Sequence, residues 1–248
     1  MTAGTWKILR LVVVLGSLAF VLASPALGVT DYPITLTVQS SYGSVTEVFD
    51  QPVVLGNGVD IVCNGTCIGK VLELDSASDP DPTANLHFSV QADADSDTTF
   101  TFNSAVVAFS AITNPQAVAS SSLTLTDTYG NGATLTGLES GGSAYRAIYN
   151  GGVSWAYLNS SYSFSTAYDS QPEYNRNPLS GFTSITDTLT SIQSEYSFTL
   201  SADDEASGSS TFNVQDVSGP VPEPLTMVAL GMGIAGLGAY IRRRTAIK

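Results

Sequence analysis

The chain has 248 residues, 43% of them hydrophobic and only 12% charged, with 9 Lys and Arg against 22 Asp and Glu and a net charge of −13. Such an acidic chain repels nucleic acid and anionic lipid, so neither is expected as a partner. One histidine and two cysteines cannot furnish the four ligands of an ordinary structural zinc centre.

At the start of the chain, Lys7 and Arg10 precede an apolar run from Leu11 to Ala23. That run is too short to span a bilayer comfortably and suits the core of a secretory signal peptide. Ala26-Leu27-Gly28 places small residues at the −3 and −1 positions of a cut. Residues 1–28 are therefore expected to be removed before Val29.

Residues 29–220 form the expected exported body. Only Lys70, Arg146 and Arg176 are basic there, against 21 acids, a net charge of −18. Its Val, Leu, Ile, Phe and Tyr content argues for a packed fold rather than acidic disorder. Apolar and polar residues alternate in short runs bounded by Gly, Asn, Asp or Pro, which is the pattern of half-buried strands. Such runs are Ile34 to Val38, Leu86 to Gln91, Thr98 to Phe102, Ala105 to Ile112, Leu123 to Asp127, Val153 to Leu158, Tyr196 to Leu200 and Ser210 to Val217. Tyr129-Gly130-Asn131-Gly132 signals a turn. The expected fold is all-β: a single, jelly-roll-like β-sandwich of roughly a dozen short strands. Ser201 to Ser210, with three acids and a glycine, reads as a polar loop.

Cys63 and Cys67 enclose Asn64-Gly65-Thr66. In an oxidising compartment the expectation is a disulfide stapling this small loop; free thiols or half of a metal site are the alternatives. Asp93, Asp95 and Asp97 stand on alternate residues, as at the start of a calcium loop. Thr98 occupies the position where an EF-hand needs Gly, and Ser104 the position of its bidentate Glu. A solvated acidic turn is the preferred reading, so no cofactor is expected, with Ca²⁺ binding the alternative.

Eight tyrosines, tryptophans and phenylalanines crowd the stretch from Tyr145 to Tyr174, among Asn, Ser and Gly. Flat rings with polar neighbours can stack on sugars. Tyr149, Trp155 and Tyr157 are the candidate glycan surface, burial in the core being the preferred reading. No catalytic residues are expected. His87 has no Gly-x-Ser-x-Gly elbow near it, and among so many acids some carboxylate pair always falls at a glycosidase spacing. Asn64 and Asn159 head N-glycosylation sequons.

At the end of the chain, Pro222-Glu223-Pro224 is followed at once by Leu225 to Ile241, an apolar run without a charge, and then Arg242-Arg243-Arg244. The prolines hold the segment before the run extended and helix-free. As a helix, the 17-residue run reaches about 25 Å, slightly short of a ~30 Å hydrocarbon core, and the arginines extend it by snorkelling. Its six Leu, Ile and Val residues contribute only about −2 to −4 kcal/mol of insertion energy. With basic residues at both ends, the positive-inside rule puts both termini in the cytoplasm and the body outside before processing.

This tail resembles the PEP-CTERM sorting signal in its Pro-Glu-Pro motif, Gly-rich hydrophobic segment and closing Arg cluster. The resemblance covers residues 221–248. It implies a Gram-negative-type bacterium, processing at the motif by an integral membrane exosortase, and export linked to extracellular polysaccharide or biofilm matrix. The expected protein is thus a membrane-inserted precursor whose body ends at the cell surface or in the matrix. Its role is expected to be structural or adhesive, a carbohydrate-binding module being the alternative and a β-sandwich glycosidase the remote one.

Overall fold

The computed structural model describes residues 30–217 apart from 32, 55, 57, 80 and 166–168. The signal-peptide segment and the tail with Pro222, Glu223, Pro224 and Arg242 to Arg244 lie outside the described residues. Alternation of inward and outward residues produces strands almost throughout. The first are β1 (Thr30–Asp31), β2 (Ile34–Ser40), β3 (Gly43–Phe49), β4 (Val59–Cys63), β5 (Thr66–Asp75) and β6 (Ala77–Asp79). Next come β7 (Thr83–Ala92), β8 (Thr98–Asn103), β9 (Val107–Ile112), β10 (Pro115–Thr126), β11 (Ala133–Gly137) and, after a 3-10 turn, β12 (Ser143–Tyr149). The last are β13 (Val153–Ser160), β14 (Tyr162–Phe164), β15 (Ser170–Asn177), β16 (Thr183–Ser184), β17 (Leu189–Leu200) and β18 (Glu205–Asp216).

These strands make two antiparallel sheets packed face to face as a sandwich. The first sheet runs β4-β5-β7-β18-β10-β15, with β6 and β1 continuing from β7 and β16 on β10. The second runs β13-β12-β17-β8-β2-β3, with β9 and β11 on β17 and β14 on β11. The core lies between them. Phe88 of the first sheet stacks on Phe102 of the second at 4.4 Å and meets Tyr196 edge-on at 4.9 Å. Ring pairs at such spacings add about 0.5–1.5 kcal/mol each beyond the area they bury. Outward positions carry hydroxyls that pair across strands: Thr37 with Thr46 at 2.9 Å, Thr99 with Thr199 at 2.8 Å, Thr101 with Ser197 at 3.1 Å.

The stretch read from sequence as a polar loop, Ser201 to Ser210, is mostly strand. Only residues 201–204 turn; β18 begins at Glu205 and runs twelve residues, paired along its length with β10 and β7. Its inward positions are Ala206, Gly208, Ser210, Phe212 and Val214, all buried. Small inward residues hide the hydropathy alternation. Partner strands on both sides impose the extended backbone regardless.

Candidate functional site

The aromatic stretch divides between core and surface. Tyr145 is fully buried, its hydroxyl 3.1 Å from Ser194 Oγ, and desolvation pushes its phenol up to about 12. Tyr149 is 7% exposed and donates to Asp187 Oδ2 at 2.7 Å. Trp155 and Tyr157 stand two apart on β13, where plain alternation would give them one face. The register slips between Ala147 and Ile148 of β12: Ala147 faces Ala156, but Ile148 faces Ser154, so Trp155 has no partner. Such a bulge re-aims a side chain. Trp155 turns to the core and stacks on buried Phe212 at 5.4 Å. Tyr157 remains outward, 40% exposed. Tyr149, Trp155 and Tyr157 therefore form no common strip.

Tyr157 stands across from Arg146, which in turn faces Glu195. Arg146 Nη2 donates to Glu195 Oε2 at 2.6 Å. Its Nε lies 3.3 Å from Glu139 Oε2, an ion pair without hydrogen-bond geometry. Burial raises the Glu139 pKa first; the charge of Glu195 and a hydrogen bond to it add to the rise, and Arg146 opposes it. One guanidinium thus stands between two carboxyls.

The cysteines do not form the expected disulfide; both thiols are free. Asn64 and Gly65 make a two-residue turn with φ of 51° and 85°, as the Asn-Gly hairpin requires. In this hairpin Cys63 faces Thr66 and Val62 faces Cys67. Successive strand residues point to opposite faces, so the two sulfurs diverge. Cys63 is buried, its Sγ toward the carbonyls of Tyr42 and Ser44; Cys67 is exposed. Asn64 stands exposed at the hairpin tip, whereas Asn159 is 1% exposed and closed to a glycosylating enzyme in the folded chain.

The three alternate aspartates also separate. Asp93 is buried and caps its own turn, accepting from Asp95 N at 3.4 Å and Ser96 Oγ at 3.0 Å. Asp95 and Asp97 are exposed. Among the described residues no group of three or more His, Cys, Asp or Glu side chains is placed to hold a metal ion. His87, on the outward face as read, lies 3.2 Å from Glu73 Oε2.

What sequence reasoning missed is a groove of about 380 Å³ at one end of the first sheet. Its floor is a cross-strand row, Asp60 of β4, Lys70 of β5 and Gln91 of β7. Its walls are Asp93, Tyr129 and Asp203 from three separate turns. Those turns are tied together. Asp127 accepts the backbone N–H groups of Tyr129, Gly130 and Gly132 at 3.1, 2.7 and 2.8 Å. Asp203 N donates to Asp93 O at 2.9 Å, and the Thr128 hydroxyl donates to Asp203 O. Tyr129 is 61% exposed. The available signal was a large aromatic directly before Gly130-Asn131-Gly132, in a turn where it has no core to enter. A second groove, about 340 Å³, lies between Pro115, Ile185 and Val217 and carries no ionisable side chain.

Compared with known proteins, the chain matches no family model, and no curated protein matches it.

Proposed function

We propose that this chain is an exported surface or biofilm-matrix protein, sorted by an exosortase through its C-terminal tail, with a structural or adhesive role among extracellular polysaccharide. One observation carries the reading. Pro222-Glu223-Pro224 stands directly before the apolar run Leu225 to Ile241 and the cluster Arg242 to Arg244. The signal-peptide pattern of residues 1–28 supports it from the other end. The domain limits 29–220 and a jelly-roll-like wiring of the sandwich belong to the same reading. So do the absence of enzymatic activity and of nucleic-acid partners.

Terminal mass spectrometry on envelope, matrix and cytosolic fractions tests the proposal. The expected result is a matrix or surface species that begins at Val29 and has lost the span after Pro224. A chain with an intact C-terminus in the cytosol overturns it.

A carbohydrate-binding module is the second reading, favoured by the groove beside Tyr129. It is distinguished by direct saccharide binding, independent of where the chain resides.

A further inference from the structure

The Tyr129 groove combines three features that a sugar ring uses. An exposed aromatic face offers apolar contact to the C–H face of a pyranose. The Gln91 amide supplies a donor and an acceptor for hydroxyls, and Asp93 and Asp203 supply acceptors only. The volume, about 380 Å³, falls in the range of small-ligand pockets. The walls are also pre-set, because Asp127 pins the Tyr129 turn and the Asp203 and Asp93 turns are bonded to one another. Pre-organised walls reduce the ordering cost of binding.

Charge narrows the ligand further. Lys70 Nζ is 3.2 Å from Asp60 Oδ1, so the cation among the described residues lining the groove is already paired. Asp93 and Asp203 remain, and Asp95 stands near enough to act on Asp203. The Asp203 pKa is raised, by desolvation and then by the charges of Asp95 and Asp93. A polyuronate would add to this repulsion; a protonated amine would relieve it.

We infer that the groove binds an amino-sugar residue of an extracellular glycan, its ring against Tyr129 and its protonated amine against Asp93 and Asp203. The inference deepens the export reading, on which the choice of an extracellular glycan rests, by naming the class of sugar. The geometry that selects the amine is independent of export.

Titration calorimetry tests it, using the full chain in mild detergent at about pH 6, where a sugar amine is protonated. The probes are a glucosamine tetramer, its fully N-acetylated counterpart and a galacturonate tetramer. The glucosamine tetramer is expected to bind and the galacturonate not. N-acetylation removes the charge and is expected to weaken binding about tenfold or more. Asp203→Asn keeps a side chain tolerant of the left-handed backbone at this position (φ 65°) and removes its charge. Asp203→Asn and Tyr129→Ala are each expected to weaken binding about tenfold with the melting temperature unchanged. Tyr129→Phe is expected to bind like the parent.

Absence of glucosamine binding, equal binding of the galacturonate, or parent-like binding by Tyr129→Ala or Asp203→Asn overturns the inference. Occupation by Ca²⁺ in place of any sugar, abolished by Asp203→Asn, overturns it as well. Failure here with the trimmed chain still found in the matrix leaves the export proposal standing. Tight amine-dependent binding by a chain that stays cytosolic does the reverse.

Discussion

Gly208 on β18 faces Phe88 on β7 across the ladder, and a Cβ added to Gly208 would lie 2.5 Å from the Phe88 ring. The missing side chain is the space that ring occupies. Phe88 cannot yield, since Phe102, Tyr196 and Phe198 surround it at centroid distances of 4.4, 4.9 and 5.6 Å. Gly208→Ala is therefore expected to destabilise the fold by about 1–3 kcal/mol through overpacking. Urea unfolding measures it; an unchanged midpoint would show that the sheets move apart more easily than this packing suggests.

Trp155 acts on stability through Phe212. Trp155→Ala removes a half-buried ring, and a loss of about 2–3 kcal/mol is expected, below the ~3–5 kcal/mol typical of fully buried aromatics. Tyr157→Ala, at an exposed position on the same strand, should change stability by less than about 0.5 kcal/mol. Thermal melts of the two variants side by side check the contrast. Equal losses would contradict the bulge that separates them.

Free, divergent cysteines make a simple chemical expectation. One thiol, Cys67, should react with a maleimide in the native protein, and Cys63 only after unfolding. Reducing agent should leave the melting temperature where it was. A single reactive thiol appearing only after reduction, or none in denaturant, would restore the disulfide.

Acid should stabilise this protein. Burial is the leading cause that raises the Glu139 and Asp204 pKa values above their ordinary 4.5 and 3.8, with Glu195 adding to the first and Asp127 to the second. A carboxyl whose pKa is higher in the folded state binds protons more tightly there. Between the unfolded and folded pKa values the native chain therefore holds more protons, and stability falls as pH rises. Relief of the body's self-repulsion acts in the same direction. The melting temperature is expected to climb as pH is lowered from 7 toward about 4.5. Glu139→Gln and Asp204→Asn should each flatten that slope; slopes equal to the parent's would remove these groups from the explanation.

Eight of the eighteen strands among the described residues were legible, in whole or in part, where large apolar residues alternate with Thr and Ser. β2, β7 and β8 are such cases, with Leu36, Phe88 and Phe100 inward. The first half of β18 was not legible, because Ala206, Gly208 and Ser210 carry no hydropathy contrast. β10 extends upstream of Leu123 for the same reason, its inward positions there being Ala117, Ala119 and Ser121. Of the three aromatics Tyr149, Trp155 and Tyr157, only Tyr157 stands at the surface, the other two being turned toward the core.

Composition, hydropathy period and the order of motifs are properties of the chain read in one dimension. They determined the all-β class, the acidic body and the three-part tail, because each depends only on neighbouring residues. Which aromatics turn inward, why Cys63 and Cys67 diverge, and how Lys70, Tyr129 and Asp203 come to line one groove were decided by tertiary structure alone. Those outcomes depend on register: a single slip opposite Ala147 re-aims Trp155, and three turns distant in sequence meet only once β4, β5, β7, β10 and β18 pair in one sheet.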